Sequence, residues 1–289
     1  MLDHPEALAL CASFFFGLGL VLTQFGLRHL PPGLGAMISI PMLTSVLWLL
    51  APLLLDLRGW EPRAAAIFVA VGLLYPVVVT LLTFEANRRM GPGVAGALGN
   101  LAPVFAVILA AFLFSETPRL VQAFGIALIV LGVVLLSARR GRGHENSWPF
   151  WVAALPIGAS MIRGVVQPVA KIGLALWPSP FAALLLGYTA SSLVAVSVAT
   201  IRAGRWPSGF RRRGVFWFCV VGLSNGTAVL ALYAALARGS VTSVAPLAAT
   251  YPLMTLALSA VLFRTERIGR SVIAGIATTV VGVIMLVGT

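Results

Sequence analysis

Two stretches of this chain carry the same residues half a sequence apart. Gly72-Leu73 recurs as Gly222-Leu223, Arg88 as Arg238, Glu116 as Glu266, Gly125-Ile126-Ala127 as Gly275-Ile276-Ala277 and Gly132-Val133 as Gly282-Val283, each at an offset of 150. Pro103 and Pro252 stand one residue short of that offset, which puts a single-residue gap between them. A chain that repeats itself must build two similar units and fit them together. Both copies lie in almost unbroken apolar sequence: 60% of the chain is hydrophobic and 10% charged, whereas about a quarter of the residues in soluble domains are charged. A soluble domain of this size could not hide so much apolar surface, but a bilayer can. A duplicated bundle with a seam between its halves is a construction that many transporters use.

A membrane span needs about 20 apolar residues. The chain offers ten such stretches between its charged residues: 7–27, 33–55, 64–84, 92–114, 119–138, 149–171, 178–201, 214–236, 241–263 and 268–288. The polar run Arg139 to Ser147 divides them five and five, giving one half over 1–145 and another over 146–289. An odd number of spans per half makes the second copy enter from the opposite face, so the halves are expected to be inverted relative to each other. The expected fold is therefore an all-α integral membrane protein of ten helices in two inverted five-helix repeats.

The net charge of +12 does not point to nucleic acid, because the arginines sit between spans, as in Arg139-Arg140-Gly141-Arg142 and Arg211-Arg212-Arg213. Such clusters meet anionic headgroups and set orientation. The connections after the first, third, fifth, seventh and ninth spans hold most of them, which favours termini outside the cytoplasm. Cys11 and Cys219 lie inside apolar stretches with no pairing pattern and read as small apolar residues. Asp3 and Glu6 replace the basic start of a secretory signal, so the first span is expected to stay in the protein.

The third to fifth spans of each half resemble the EamA module of the drug/metabolite transporter superfamily. One copy runs Ala86-Asn87-Arg88, Leu101-Ala102-Pro103-Val104-Phe105, Phe114-Ser115-Glu116, Gln122-Ala123-Phe124-Gly125 and Gly132-Val133. The other runs Ala234 to Arg238, Ala249-Thr250-Tyr251-Pro252-Leu253, Glu266-Arg267, Ala274-Gly275 and Gly282-Val283. The resemblance implies ten helices around a central cavity and secondary transport of small metabolites, often outward and often of amino acids. It also implies cytoplasmic termini, against the arginine count, and both orientations stay open.

Arg163 is the leading site candidate, because it stands just past the middle of the sixth span. A guanidinium at a bilayer centre costs roughly 2.5–3.5 kcal/mol on insertion scales and is tolerated facing a wet cavity or a partner. Gln167 and Lys171 follow at four-residue steps on the same helix. An arginine fork suits a carboxylate or other anion; the alternative is a structural arginine, capping carbonyls freed at Pro168 or paired with Glu85. Asn100 and Thr250-Tyr251 precede Pro103 and Pro252 in matching places of the two halves. Prolines within spans bend helices and free carbonyls toward a cavity. Tyr75-Pro76 and Asn225 are repeat partners of the same kind, and Gln24, Tyr188, Ser191 and Ser192 are further polar candidates. Substrate binding is thus expected from Arg163, Gln167, Asn100, Thr250, Tyr251, Tyr75, Asn225 and Gln24, and gating kinks from Pro103, Pro252, Pro76 and Pro168.

Glu85 is the nearest candidate for a coupling carboxylate, though pairing with Arg88 or Arg89 explains it equally well. Gly125/Gly132 and Gly275/Gly282 lie seven apart on one stripe, which suits close helix packing inside the protomer or across a dimer. His4, His29 and His144 fall outside the spans with no metal-ligand spacing, and no acid–base set is apparent, so neither a cofactor nor a metal is expected and an integral membrane transferase is the weak rival. A flippase of a lipid-linked anionic headgroup would share the architecture. The expected partners are a small metabolite and the lipid bilayer, with the chain in the cytoplasmic (inner) membrane as a monomer or homodimer.

Overall fold

The computed structural model describes residues 4–83, 85–86, 89, 99, 101–116, 118–138, 149–203, 209–263 and 270–287. Asn100, Arg88, Glu266 and the polar run Arg139 to Ser147 lie outside them. The order is α1 (Pro5–Leu27), α2 (Pro32–Leu54), α3 (Pro62–Leu74) with a further helical stretch over 77–83, α4 (Ala102–Phe114), α5 (Leu120–Ala138), a 3-10 turn (Phe150–Ala153), α6 (Ala154–Leu176), α7 (Pro180–Ala203), α8 (Arg212–Arg238), α9 (Val241–Ala248), α10 (Tyr251–Phe263) and α11 (Arg270–Val287). Every element falls within or at the edge of one of the ten apolar stretches, and there is no strand among the described residues.

Local chemistry explains the ends. Proline stands in the first turn of α1, α2, α3 and α4, where its missing N–H is no loss and its φ is already helical. The Glu61 side chain accepts from the Arg63 amide at the start of α3, and the Ser240 hydroxyl accepts from the Ser243 amide at the start of α9. Among the described residues six segments are long and apolar enough to cross a membrane by length and composition: Pro5–Leu27, Pro32–Leu54, Pro62–Thr83, Trp151–Leu176, Pro180–Ile201 and Arg212–Arg238. Their outer faces expose large apolar side chains such as Leu49, Leu53, Leu193, Ile201 and Phe216, the reverse of a water-facing surface.

The most extensive helix contacts follow exchange of the two halves. α1 packs on α8 and α6 on α3, α1 on α9–α10 and α6 on α4, α2 on α8 and α7 on α3. α2 with α7, and α5 with α11, are each their own exchange partners. The repeat glycines mark these crossings. A methyl on Gly222 would lie 2.5 Å from the Ser39 carbonyl of α2, and one on Gly72 would collide with the Gly187 carbonyl of α7. Gly132 and Gly282 do the same for α5 against α11, with hypothetical methyls 2.8 Å from Gly275 O and 2.6 Å from Gly125 O. The small-residue stripes therefore serve contact inside the protomer, letting backbones approach where a side chain would hold them apart.

Short connections make successive segments alternate in direction, so the connections 55–61, 115–119, 177–179 and 239–240 share one end of the bundle. That end is filled. Leu8, Ala51, Ala64, Phe68, Ala110, Leu174, Trp177, Leu236 and Val241 belong to one buried cluster. Glu116 staples it shut: one carboxylate oxygen takes the Lys171 ammonium of α6 at 2.5 Å and the other accepts from the Val241 and Thr242 amides at 2.8 and 3.3 Å. A carboxylate on the first amides of α9 meets both the orphan donors and the positive end of the helix dipole. Lys171 also donates to Gly239 O at 3.0 Å.

Candidate functional site

Three breaks in the helices prepare the site. α3 stops at Leu74, with Tyr75 extended at φ −127° and ψ 130° and Pro76 leading into the stretch 77–83. α4 starts at Ala102 after a turn at Leu101, and α10 starts at Tyr251 after a turn at Ala249-Thr250. Pro76, Pro103 and Pro252 thus do not bend continuous helices. Each stands in or just before the first turn of a new helical stretch, because a residue without an N–H breaks the preceding ladder but starts the next at no loss. Pro168 alone of the four named prolines lies inside a helix, buried in α6.

Between the halves lies a cavity of about 230 Å³. Its wall takes Phe16, Leu20 and Thr23 from α1, Gly35, Ser39 and Ile40 from α2, Tyr75, Pro76, Thr80 and Thr83 after α3, and Gly99, Ala102 and Pro103 around the start of α4. From the other half come Pro156, Arg163, Val166 and Gln167 of α6, Tyr188 of α7, Phe218, Val221, Asn225, Leu232 and Tyr233 of α8, and Ala248, Ala249 and Tyr251 at the α9–α10 break. Most of these belong to mid-depth or to the end away from the Glu116 staple, with Leu232 and Tyr233 of α8 reaching deepest toward it. The cavity is therefore one-sided, blocked at its inner end by the filled half of the bundle.

Arg163 reaches this cavity from α6, half-buried, and Nη1 donates to the Tyr251 hydroxyl at 3.2 Å. No carboxylate among the described residues lies within ion-pair distance of it. Glu85, the partner that the sequence allowed, instead takes Arg89 Nε at 2.5 Å, while Arg89 lies 4.7 Å over the Trp151 ring. One residue on, Gly164 explains why Arg163 can stand here: a methyl on it would lie 2.6 Å from both Ala102 O and Phe105 Cβ. α4 therefore crosses α6 in close contact beside the guanidinium. One turn further, Gln167 is buried and its Oε1 has no hydrogen-bond partner among the described residues. An unanswered buried acceptor costs about 1–3 kcal/mol.

Of the residues expected to bind substrate, Arg163, Gln167, Tyr251, Tyr75 and Asn225 come together on the wall, with Pro76 and Pro103 beside them. Thr250 does not join them; it is buried with its hydroxyl 2.9 Å from Ser13 Oγ and donating to Leu247 O at 2.7 Å. Gln24 is exposed, four residues past Leu20 and eight past Phe16, and so rotated about 40° and 80° from them toward the end of α1. Lys171 leaves the Arg163 face because eight residues carry it about 12 Å along the helix, into the Glu116 staple. Ser191 and Ser192 are spent on helix contacts, with Ser191 donating to Gly72 O and Ser192 2.7 Å from Thr44 Oγ1. Pro252 and Pro168 lie behind the wall, and Asn100 is outside the described residues.

Tyr233, Thr80, Thr83, Ser39 and Phe218 also stand on the wall, and no motif in the sequence marks them as site residues. One signal was present. The chain has four tyrosines, each inside an apolar stretch, whereas tyrosines of membrane proteins favour the water interface. All four line this cavity.

Comparison with known proteins agrees with the architecture. The EamA-like transporter family matches twice, over residues 5–138 and 150–288. A multidrug resistance protein of Mycobacterium leprae (strain TN) is 38% identical over 64 residues, which are 22% of this chain. The matched stretch spans 60% of that relative's length. One solved crystal structure superposes with a TM-score of 0.79 over 97% of this chain and 95% of its own, at 17% identity, a likeness of fold alone.

Proposed function

The chain belongs to the EamA-like transporter family, and from that premise we propose a secondary carrier of small carboxylate-bearing metabolites, amino acids foremost. It is a multi-pass membrane transporter by membership. In this reading the halves 1–145 and 146–289 are inverted repeats in the cytoplasmic membrane and expose the cavity to each side in turn. The observation that carries the proposal is Arg163: a guanidinium on the wall of a largely apolar cavity, tethered to a phenol and with no carboxylate partner among the described residues. A cation in that setting is stabilised by an anionic ligand, and its planar fork suits a carboxylate. The one-sided cavity and the stapled opposite end fit one of the two states that such a carrier alternates between. A relative named for multidrug resistance is in keeping with a small-molecule cargo.

Counterflow in proteoliposomes tests the reading. Vesicles preloaded with a mixture of amino and organic acids are expected to take up labelled members saturably, and Arg163→Ala is expected to lose that uptake by about 10- to 100-fold, the worth of a charge-assisted hydrogen bond of about 1.5–3 kcal/mol. Uptake that ignores the substitution would remove the carboxylate clamp. No exchange of any soluble acid, with scrambling of anionic lipid-linked cargo instead, would turn the assignment to a flippase.

A further inference from the structure

Among the described residues one buried side-chain atom is left without a hydrogen-bond partner, Gln167 Oε1. Gln167 is 6% exposed and lines the cavity one turn of α6 beyond Arg163. We propose that Gln167 reads a hydrogen-bond donor on the cargo, so that this carrier takes carboxylates bearing an ammonium or hydroxyl group and discriminates against those that lack one. The proposal rests on the reading that the cavity holds a carboxylate against Arg163.

The chemistry of the amide sets the requirement. A carbonyl oxygen only accepts, so it is satisfied by an N–H or O–H and by nothing else. The described residues around it do not supply that group. Arg163, the nearest strong donor on the same face, is turned to Tyr251, and no tyrosine hydroxyl of the wall bonds to Gln167. Four residues of helix separate the two side chains by about 6 Å along the axis, so both heads can serve one small molecule once the Gln167 amide turns its oxygen, enclosed in this state, toward the cavity. An arginine binding the carboxylate and an amide accepting from its neighbouring substituent together describe a ligand with both groups at one end. The described wall contains no aspartate or glutamate, so a cargo ammonium meets neutral partners, the Gln167 carbonyl and the faces of Tyr75, Tyr188 and Tyr233. A bare acid would leave Oε1 unanswered, and sites built around a hydrogen bond reject analogues that cannot make it far more strongly than apolar pockets reject a missing methylene.

The test uses matched acids that differ at one substituent: alanine, lactate and propionate, then glutamate, 2-hydroxyglutarate and glutarate. Competition in counterflow and ligand-induced thermal stabilisation of the purified full chain are read for wild type, Gln167→Met and Gln167→Leu, the pair guarding against one variant that fails to fold. Wild type is expected to favour the amino or hydroxy acid over the bare acid by about tenfold or more, and both variants to bring the ratio within about twofold while still handling the bare acid. Arg163→Ala is expected to weaken all members of a set alike. A preference that survives in both variants overturns the role of Gln167. So does equal handling of all three acids by wild type, which leaves the Arg163 clamp standing. Indifference of wild type to every carboxylate overturns the clamp and this inference with it.

Discussion

α1 and α6 open the two halves, are both 23 residues long and make the same crossing, yet they face the cavity with opposite chemistry. Gly17 admits α10, with a hypothetical methyl 2.7 Å from Met254 Cβ and 2.9 Å from Thr255 N, and Gly164 admits α4 in the same way. Counting from these glycines, Phe16 stands where Arg163 stands and Leu20 where Gln167 stands; Ser13 and Ser160, both fully buried, keep the register. The offset between these helices is therefore 147, three short of the offset later in the repeats. What both copies retain is the backbone approach, since two helices cannot cross there around a side chain. What differs is the adjoining position on the cavity wall, where both side chains meet Tyr251 and the open volume beside it accommodates either size and polarity. Duplication made the frame, and divergence on one wall of it made the site.

This contrast can be broken most directly at the site itself. Arg163→Ala is expected to lower carboxylate counterflow by about 10- to 100-fold, whereas Phe16→Ala, which removes apolar contact alone, should stay within about threefold; equal losses would mean that the two walls act alike. The next effect in size lies one helix end away, at Lys171 and its register partner Gln24. Lys171→Met strips a largely buried carboxylate of its cation and should cost about 2 kcal/mol in thermal unfolding, while Gln24→Met, at an exposed position, should stay within about 0.5 kcal/mol. Gly17→Ala and Gly164→Ala sharpen the comparison from the other direction. Both overfill a crossing and should cost a similar amount, about 1–3 kcal/mol each by unfolding midpoint; a large cost at one alone would show that the crossings are not equivalent. The smallest change is Tyr251→Phe, which removes the tether of Arg163 and should weaken counterflow about 2- to 10-fold, read as a rise in half-saturation with little change in maximal rate.

The frame was legible because its signals are cumulative. Ten apolar stretches, a repeat of 150 and glycines at matching places each sum many residues, and the glycine pairs read as packing devices meet across helices of opposite halves. Arg163 was legible as well, since one charge in an apolar stretch stands out whatever its surroundings. The rest of the site was not. Lys171 shares the spacing of Arg163 and Gln167 and yet serves the Glu116 staple, while Tyr233, with no neighbouring motif, lines the cavity. Thr250 and Tyr251 are adjacent, and only the second faces the opening.

The sequence by itself determined that this chain is a duplicated, mostly apolar helical protein with one conspicuous cation near the middle of its sixth span. Tertiary structure decided which side chains share the cavity with that cation, which end of the bundle is filled, and that three of the four named prolines begin helical stretches. The physical reason is that composition and periodicity are properties of a segment, whereas facing is a property of pairs. Each residue turns a side chain by about 100° around its helix, so one step of register, set by contacts with helices more than a hundred residues away, moves a polar group from the wall of the cavity into the packing behind it.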